Sequence, residues 1–225
     1  MISVGLVTIG QAPRDDVVPD MVEILGRDVH LVQAGALDGL GQAEIAALAP
    51  RGDDEILVTR LADGTSVFVA KKHMVARLQA RIAWLEDQGG ALTVVLCAGA
   101  FPPLVARRPL LEPQPLLLGL LRATTFPGRL GVLTPSVPHV PQTEARWSAD
   151  GFDALVVPLS PYEEHDAAAV RRAADALRAG GAGLVVMDCI GFKRKTRDEM
   201  AHLVGAPVLV ANLLVARVAA ELLGR

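Results

Sequence analysis

The chain of 225 residues carries two cysteines, Cys97 and Cys189, and each closes an apolar run. Val94-Val95-Leu96 leads into Cys97, and Val185-Val186-Met187-Asp188 leads into Cys189. A glycine turn follows each one, Ala98-Gly99 and Ile190-Gly191. Such thiols admit two readings. A free cysteine is commonly a small buried core residue. A pair at matching strand ends also suits proton transfer without a cofactor. One thiolate takes a proton from an acidic carbon, and the opposite thiol returns one from the other face. A thiol ordinarily titrates near pH 8.5, and a helix N-terminus lowers that value; both cysteines are expected to precede such termini. One thiol alone would serve a decarboxylase, by reprotonating a carbanion. No histidine stands at ligand spacing from either cysteine, and zinc usually needs four N or S ligands, so no metal is expected. Two cysteines also exclude a disulfide scaffold.

Thiol chemistry on a carboxylate needs something to hold the anion. The loop Thr8-Ile9-Gly10-Gln11-Ala12-Pro13-Arg14 offers glycine for close backbone approach and N–H groups near a helix start. Arg14 is placed to clamp a carboxylate with two parallel hydrogen bonds; its alternative is a pairing with Asp15 or Asp16. Thr134-Pro135-Ser136 mirrors this loop and would bind through hydroxyl and N–H groups, unless it is an ordinary turn. Asp188 alternates away from Cys189 along its strand, which favours a structural role over tuning the thiol or binding an amine. Lys193, Arg194, Lys195 and Arg197 read as a solvated helix face able to attract an anion. The five histidines form no spaced cluster, though His139 lies near the second loop. No G-x-G-x-x-G or phosphate-loop motif occurs, so nucleotide binding has no support.

The elements that position these residues follow from periodicity. Residues 2–8 form a buried strand, followed by a helix with Val17, Met21, Ile24 and Leu25 inward. Residues 30–34 read as a strand and 43–48 as a short helix. Residues 55–70 contain two β-rich runs around Ala62-Asp63-Gly64-Thr65, a hairpin signal. A helix follows from Lys71, with Val75, Leu78, Ile82 and Leu85 at helical spacing, and then the strand into Cys97. The second half repeats the logic: strand 129–134, helix 141–150, strand 154–158, helix 166–178, strand 184–188, strand 207–211 and helix 213–223. Val4-Gly5-Leu6-Val7-Thr8 resembles Leu130-Gly131-Val132-Leu133-Thr134, which points to duplication, although short Val/Leu/Gly strings also recur by chance. Ligands of parallel sheets bind at the carboxyl ends of strands. Thr8, Cys97, Thr134 and Cys189 all stand at such ends.

Composition sets the outer limits. Hydrophobic residues are 51% and charged residues 21%, enough for a large core. A net charge of −3 gives no basic footprint for nucleic acid. No apolar run reaches the roughly 18 residues of a membrane span; the longest, at 116–121, is too short. The N-terminus reads as a first strand and not as a leader. The expectation is a soluble, cytoplasmic protein.

Leu6-Val7-Thr8-Ile9-Gly10-Gln11-Ala12-Pro13-Arg14, Gly131-Val132-Leu133-Thr134-Pro135, Met187-Asp188-Cys189-Ile190-Gly191-Phe192 and the C-terminal Pro207-Val208-Leu209-Val210-Ala211-Asn212-Leu213-Leu214-Val215-Ala216-Arg217 resemble the AroM family over essentially the whole length. That family looks like a branch of the aspartate/glutamate/hydantoin racemase superfamily. The resemblance implies an α/β fold of two pseudo-symmetric three-layer domains with parallel sheets and a ligand cleft between them. The expected boundaries are 1–115 with the hairpin 55–70, completed by 208–225, and 116–207. It implies Cys97 and Cys189 as an acid/base pair, and Gln11, Arg14, Ala98, Gly99, Thr134, Pro135, Ser136 and Ile190 around a substrate carboxylate. Racemases typically carry Asn, Thr or Ser after the first cysteine and Thr after the second. Ala98 and Ile190 depart from that pattern and remove two hydroxyls. The functional expectation is a cofactor-independent racemase or epimerase of a small carboxylate, amino acid or cyclic derivative. Its alternatives are a single-thiol decarboxylase or lyase, and a non-catalytic small-molecule binding or regulatory protein on the same scaffold. A small carboxylate ligand and a homodimer are the expected partners.

Overall fold

The computed structural model describes residues 2–225; Met1, read above with the first strand, lies outside them. The chain divides into two compact α/β units. One reaches Pro113 and takes up Val215–Arg225, and the other is Gln114–Leu214.

In the first unit, strand β1 (Ser3–Thr8) is followed by helix α1 (Val18–Leu25), β2 (His30–Gly35) and the short helix α2 (Gln42–Ala46). β3 (Ile56–Arg60) and β4 (Ser66–Ala70) form an antiparallel hairpin that is a sheet by itself. Its turn is tied by the Asp63 carboxylate, which accepts from the Thr65 amide at 2.9 Å. Helix α3 (Lys71–Asp87), β5 (Leu92–Leu96) and a two-residue β6 (Leu110–Leu111) complete the unit. The main sheet runs β2-β1-β5-β6, all parallel. β5 is buried along its whole length, as a central parallel strand must be when both faces are covered. Met74, Leu78, Ile82 and Leu85 give α3 its buried stripe. Val75, expected on that stripe, is half-buried, because Met74 continues the four-residue spacing below Leu78.

The second unit holds most of helix α4 (Pro113–Arg122), then β7 (Arg129–Thr134), a 3₁₀ turn (Val137–His139), α5 (Val140–Ala149), β8 (Ala154–Pro158), α6 (Ala167–Ala179), β9 (Ala182–Met187), α7 (Arg194–Val204) and β10 (Val208–Val210). Helix α8 (Ala211–Leu222) starts here and ends in the first unit. The sheet runs β10-β9-β7-β8, again parallel. The return to the first unit was expected at 208. It comes at Val215, because β10 pairs with β9 and is bound to the second sheet. Helix α4 is the apolar run noted above, with Leu117 and Leu121 inward. Among the described residues no helix is long and apolar enough to cross a membrane.

The two units share one topology. In each, the first strand sits between the second strand and the strand that leads to a cysteine. Thr8 lies opposite Leu96 in the first sheet, and Leu133 lies opposite Met187 in the second, so Thr134 and Asp188 follow as the next pair. The glycines inside the first strands match as well. A Cβ on Gly5 would stand 3.1 Å from Leu85 Cβ on α3. On Gly131 it would stand 2.9 Å from Leu177 Cδ2 on α6. Each glycine lets a helix lie close on its strand. The Val4–Thr8 and Leu130–Thr134 strings thus match in sheet position and in packing, well beyond residue type.

Candidate functional site

At the carboxyl end of the first sheet, the loop after β1 is closed upon itself. The Gly10 amide donates to Thr8 Oγ1 at 3.2 Å, the Ala12 amide to Asp38 Oδ1 at 2.8 Å and the Arg14 amide to Gln33 Oε1 at 2.8 Å. The Gln11 amide donates to the Arg60 carbonyl of the hairpin at 3.1 Å. Gln11 is itself a bridge: its Nε2 donates to the Leu37 carbonyl at 3.4 Å and its Oε1 accepts from the Ala62 amide at 2.9 Å. A Cβ on Gly10 would run into the Arg60 carbonyl oxygen and the Thr59 hydroxyl. The hairpin is therefore packed down on this loop, and the Thr59 hydroxyl beneath it is buried without a hydrogen-bond partner among the described residues.

Arg14 belongs to the same lattice. The side chain is 2% exposed, its Nε and Nη2 hold Asp16 at 2.8 Å each, and Nη1 donates to Thr8 Oγ1 at 2.9 Å. The arginine expected to clamp a substrate carboxylate instead clamps one from its own loop. Burial by itself would raise the Asp16 pKa, but the hydrogen bond and charge of Arg14 outweigh it and hold the group below the ordinary carboxylate value.

Cys97 follows β5, 7% exposed, in an apolar cluster with Val7, Ile9 and Leu57. Its sulfur accepts from the Gly99 amide at 3.4 Å, within the looser range of sulfur acceptors. Leu57 of the hairpin presses on Gly99, where a Cβ would stand 3.0 Å from Leu57 Cδ2. Ala98 is buried beside it. The helix expected directly after Cys97 is absent: the next helix is α4, because Phe101-Pro102-Pro103 breaks any helical pattern.

The carboxyl end of the second sheet is built differently. Thr134 Oγ1 lies 3.0 Å from Thr143 Oγ1 of α5, so this hydroxyl serves to dock a helix. Pro135 is buried, and Ser136 Oγ stands 2.7 Å from Nδ1 of the buried His139. Among the described residues no acceptor is bonded to the Ser136, Val137, Ile190 or Gly191 amide.

Cys189 follows β9, also 7% exposed. The turn after it is fixed by Asn212 at the start of α8, whose Nδ2 donates to the Ile190 carbonyl at 3.1 Å and the Phe192 carbonyl at 2.7 Å. Tyr162, from the segment between β8 and α6, places its hydroxyl 3.5 Å from Cys189 Sγ. Asp188 ties its strand to α5, the structural role that alternation favours, and its buried Oδ1 has no hydrogen-bond partner among the described residues. Its buried carboxylate is bonded by Arg146 and by Trp147 Nε1 at 3.0 Å, both on α5. Helix α7 begins at Arg194, after the turn. Tyr162 went unread in the sequence, and Asn212 was read only within the C-terminal 207–217 segment, with no role of its own. The available signal was their rarity: the chain has one tyrosine, and Asn212 is a lone polar residue in an apolar run.

Beside this turn the second unit has a cavity of about 780 Å³. Ser136, Ser160, Arg172, Phe192, Lys193 and Lys195 are among the residues that line it. Among the described residues no cluster of His, Cys, Asp and Glu is arranged to hold a metal ion.

Comparison with known proteins points one way. The family model described as AroM protein matches residues 4–223. No curated protein sequence matches the chain. Among solved structures, the allantoin racemase from Klebsiella pneumoniae is similar with a TM-score of 0.67 at 12% identity, covering 100% of this chain and 88% of the other. A Nocardia farcinica maleate cis-trans isomerase, solved with a covalently bound succinylcysteine intermediate, gives 0.64 at 15% identity, over 99% and 93% of the two chains. An arylmalonate decarboxylase gives 0.60 at 13% identity, over 99% and 92%. At such identities the likeness is one of fold.

Proposed function

Because this chain belongs to the AroM family and has the fold of the racemase superfamily, we propose that it is a cofactor-independent isomerase, a racemase or epimerase of a small carboxylate or amino-acid derivative. One observation carries the reading. In each of two units of one topology, the strand beside the first strand leads to a cysteine, and both cysteines are buried, each residue being 7% exposed. Two-base isomerisation requires two thiols on opposite faces of one carbon. Cys97 or Cys189, as thiolate, removes the α-proton; the other, as thiol, supplies a proton to the opposite face. The carbanion between these steps needs donors at its carboxylate. The uncommitted amides of Ser136, Val137, Ile190 and Gly191, with the Ser136 hydroxyl, fit that need. Gln11 and Arg14 would then support the site by holding the first loop and hairpin in place, with no direct hold on substrate.

The inequality of the thiols favours a second reading. Cys97 lies in the apolar cluster of the first unit, whereas Cys189 has a phenol hydroxyl beside it. Single-thiol chemistry at Cys189, such as reprotonation after loss of carbon dioxide, uses that inequality.

The test is α-proton exchange in heavy water, followed by NMR over amino acids, hydantoins and 2-substituted carboxylates. Washout that falls at least about 100-fold in both Cys97→Ser and Cys189→Ser is the expected result. Full exchange in either variant would sink the two-base reading. Carbon dioxide release that depends on Cys189 alone would select the single-thiol reading. Thermal stabilisation by a ligand, with no exchange and no release, would mark a binding protein on this scaffold.

A further inference from the structure

Tyr162 is the one tyrosine of the chain, and it stands on neither a strand nor a helix. It is nonetheless held firmly. Its amide donates to Ser160 Oγ at 3.3 Å, and the residue is 9% exposed. The ring fills the space that Gly191 leaves: a Cβ there would stand 2.5 Å from Tyr162 Cε1 and 2.8 Å from Cζ. Gly191 in turn sits in the Cys189–Phe192 turn, whose flanking carbonyls Asn212 holds. Ring, glycine and sulfur are thus fixed by separate contacts, and the phenol oxygen comes to 3.5 Å from Cys189 Sγ. A phenylalanine would fill the same space. A hydroxyl buried there is costly unless it is hydrogen-bonded, so its partners explain its presence.

We propose that Tyr162 is a positioning residue for Cys189: its O–H donates to the thiolate, keeps the negative charge on that sulfur and fixes the direction in which the sulfur points. The intrinsic acidities set the direction of the bond. A thiol titrates ordinarily near pH 8.5 and a phenol near 10. When the pair carries one negative charge, sulfur holds it and the phenol keeps its proton. After Cys189 has taken a proton from carbon, the S–H group can donate back to the phenol oxygen, so the contact persists with donor and acceptor exchanged. No proton leaves Tyr162 in either state; the transfer is between carbon and sulfur. Cys97 receives a backbone N–H, that of Gly99, in the corresponding role. The two thiols therefore differ by construction.

The inference rests on the isomerase reading for its catalytic meaning, but its test needs no substrate. In a Cys97→Ala background, Cys189 is alkylated with iodoacetamide across pH and followed by mass spectrometry, with Tyr162 intact and as Tyr162→Phe. The phenylalanine keeps the ring against Gly191. Loss of a hydrogen bond to a charged sulfur should raise the midpoint of the pH–rate curve by about one pH unit. The rate at neutral pH should fall severalfold, less than the midpoint alone implies, because a more basic thiolate is also more nucleophilic. Titration of the β-carbon chemical shift of isotope-labelled Cys189 gives a second reading, independent of reagent access, and should show the same displacement. A midpoint that Tyr162→Phe leaves in place by both readings overturns the proposal. A displaced midpoint in a protein that shows no α-proton exchange leaves the pairing standing and removes the isomerase reading alone.

Discussion

The loops after β1 and β7 leave their sheets from equivalent threonines, and then they diverge. In the first unit, amides, a glutamine and an arginine close the loop on itself and on the hairpin. In the second unit the corresponding threonine docks a helix, and the amides of Ser136 and Val137 stay uncommitted. The strands that lead to the cysteines differ in the same sense. Leu96, opposite Thr8, is a core residue, whereas Asp188 at the matching place is a buried carboxylate that ties its strand to α5. One topology used twice thus carries a loop closed on itself and on the hairpin, and a loop whose amides stay uncommitted.

The largest expected effect comes from the buried carboxylate. Arg146→Ala removes a partner from Asp188, whose side chain is 1% exposed, and should cost about 3–5 kcal/mol in urea unfolding. The double change Arg146→Met with Asp188→Leu makes the second unit resemble the first at this place and should restore only part of that loss, because the buried Trp147 Nε1–H then lacks its acceptor. A cost under about 1 kcal/mol for the single change would show that Asp188 is not held as an unpaired charge.

A smaller contrast lies in the two glycine turns. Gly191→Ala drives a methyl into the Tyr162 ring, which is held in place, and should cost about 1–3 kcal/mol. Gly99→Ala meets the ends of side chains, Leu57 Cδ2 at 3.0 Å and Cys97 Sγ at 3.4 Å, of which Leu57 can give way, and should cost less than about 1 kcal/mol. Equal thermal shifts in the two variants would mean that Tyr162 is not fixed as described.

The smallest effect is visible only in acid. The Asp16 pKa is lowered in the folded protein, so its contribution is present above the ordinary carboxylate value of 3.8 and is lost as pH falls through the lower folded value. Acid unfolding curves should therefore be less steep below about pH 4 for Asp16→Asn than for the wild type. The mirror-side change Ser136→Ala, which removes no titrating carboxylate, should leave that slope unaltered.

Much of the architecture was legible in advance, because parallel strands buried on both faces read as apolar runs and the hairpin announces itself at Asp63-Gly64. The internal repeat was legible too, since a glycine under a packed helix leaves a mark in the sequence at Gly5 and Gly131. Less visible were α4, which looks like any apolar run, and the helix supposed to follow Cys97, which Pro102 and Pro103 forbid. Among site candidates, Arg14 was given two anions by the sequence, a substrate carboxylate and Asp15 or Asp16; Asp16 holds it here, a partner that competes at no cost in translational freedom.

By itself the sequence determined which residues are candidates for the proposed thiol chemistry: two cysteines, each at the end of an apolar strand in a repeated α/β pattern. Periodicity and residue type are local properties and survive without a structure. The tertiary structure alone decided which polar groups remain available. Gln11 and Thr134 are taken up by partners on other elements, Arg14 by Asp16 of its own loop and Asp188 Oδ2 by α5, while Tyr162 and Asn212, remote in the chain, converge on the Cys189 turn. Hydrogen-bond satisfaction is a property of neighbours in space, and nothing in residue spacing records it.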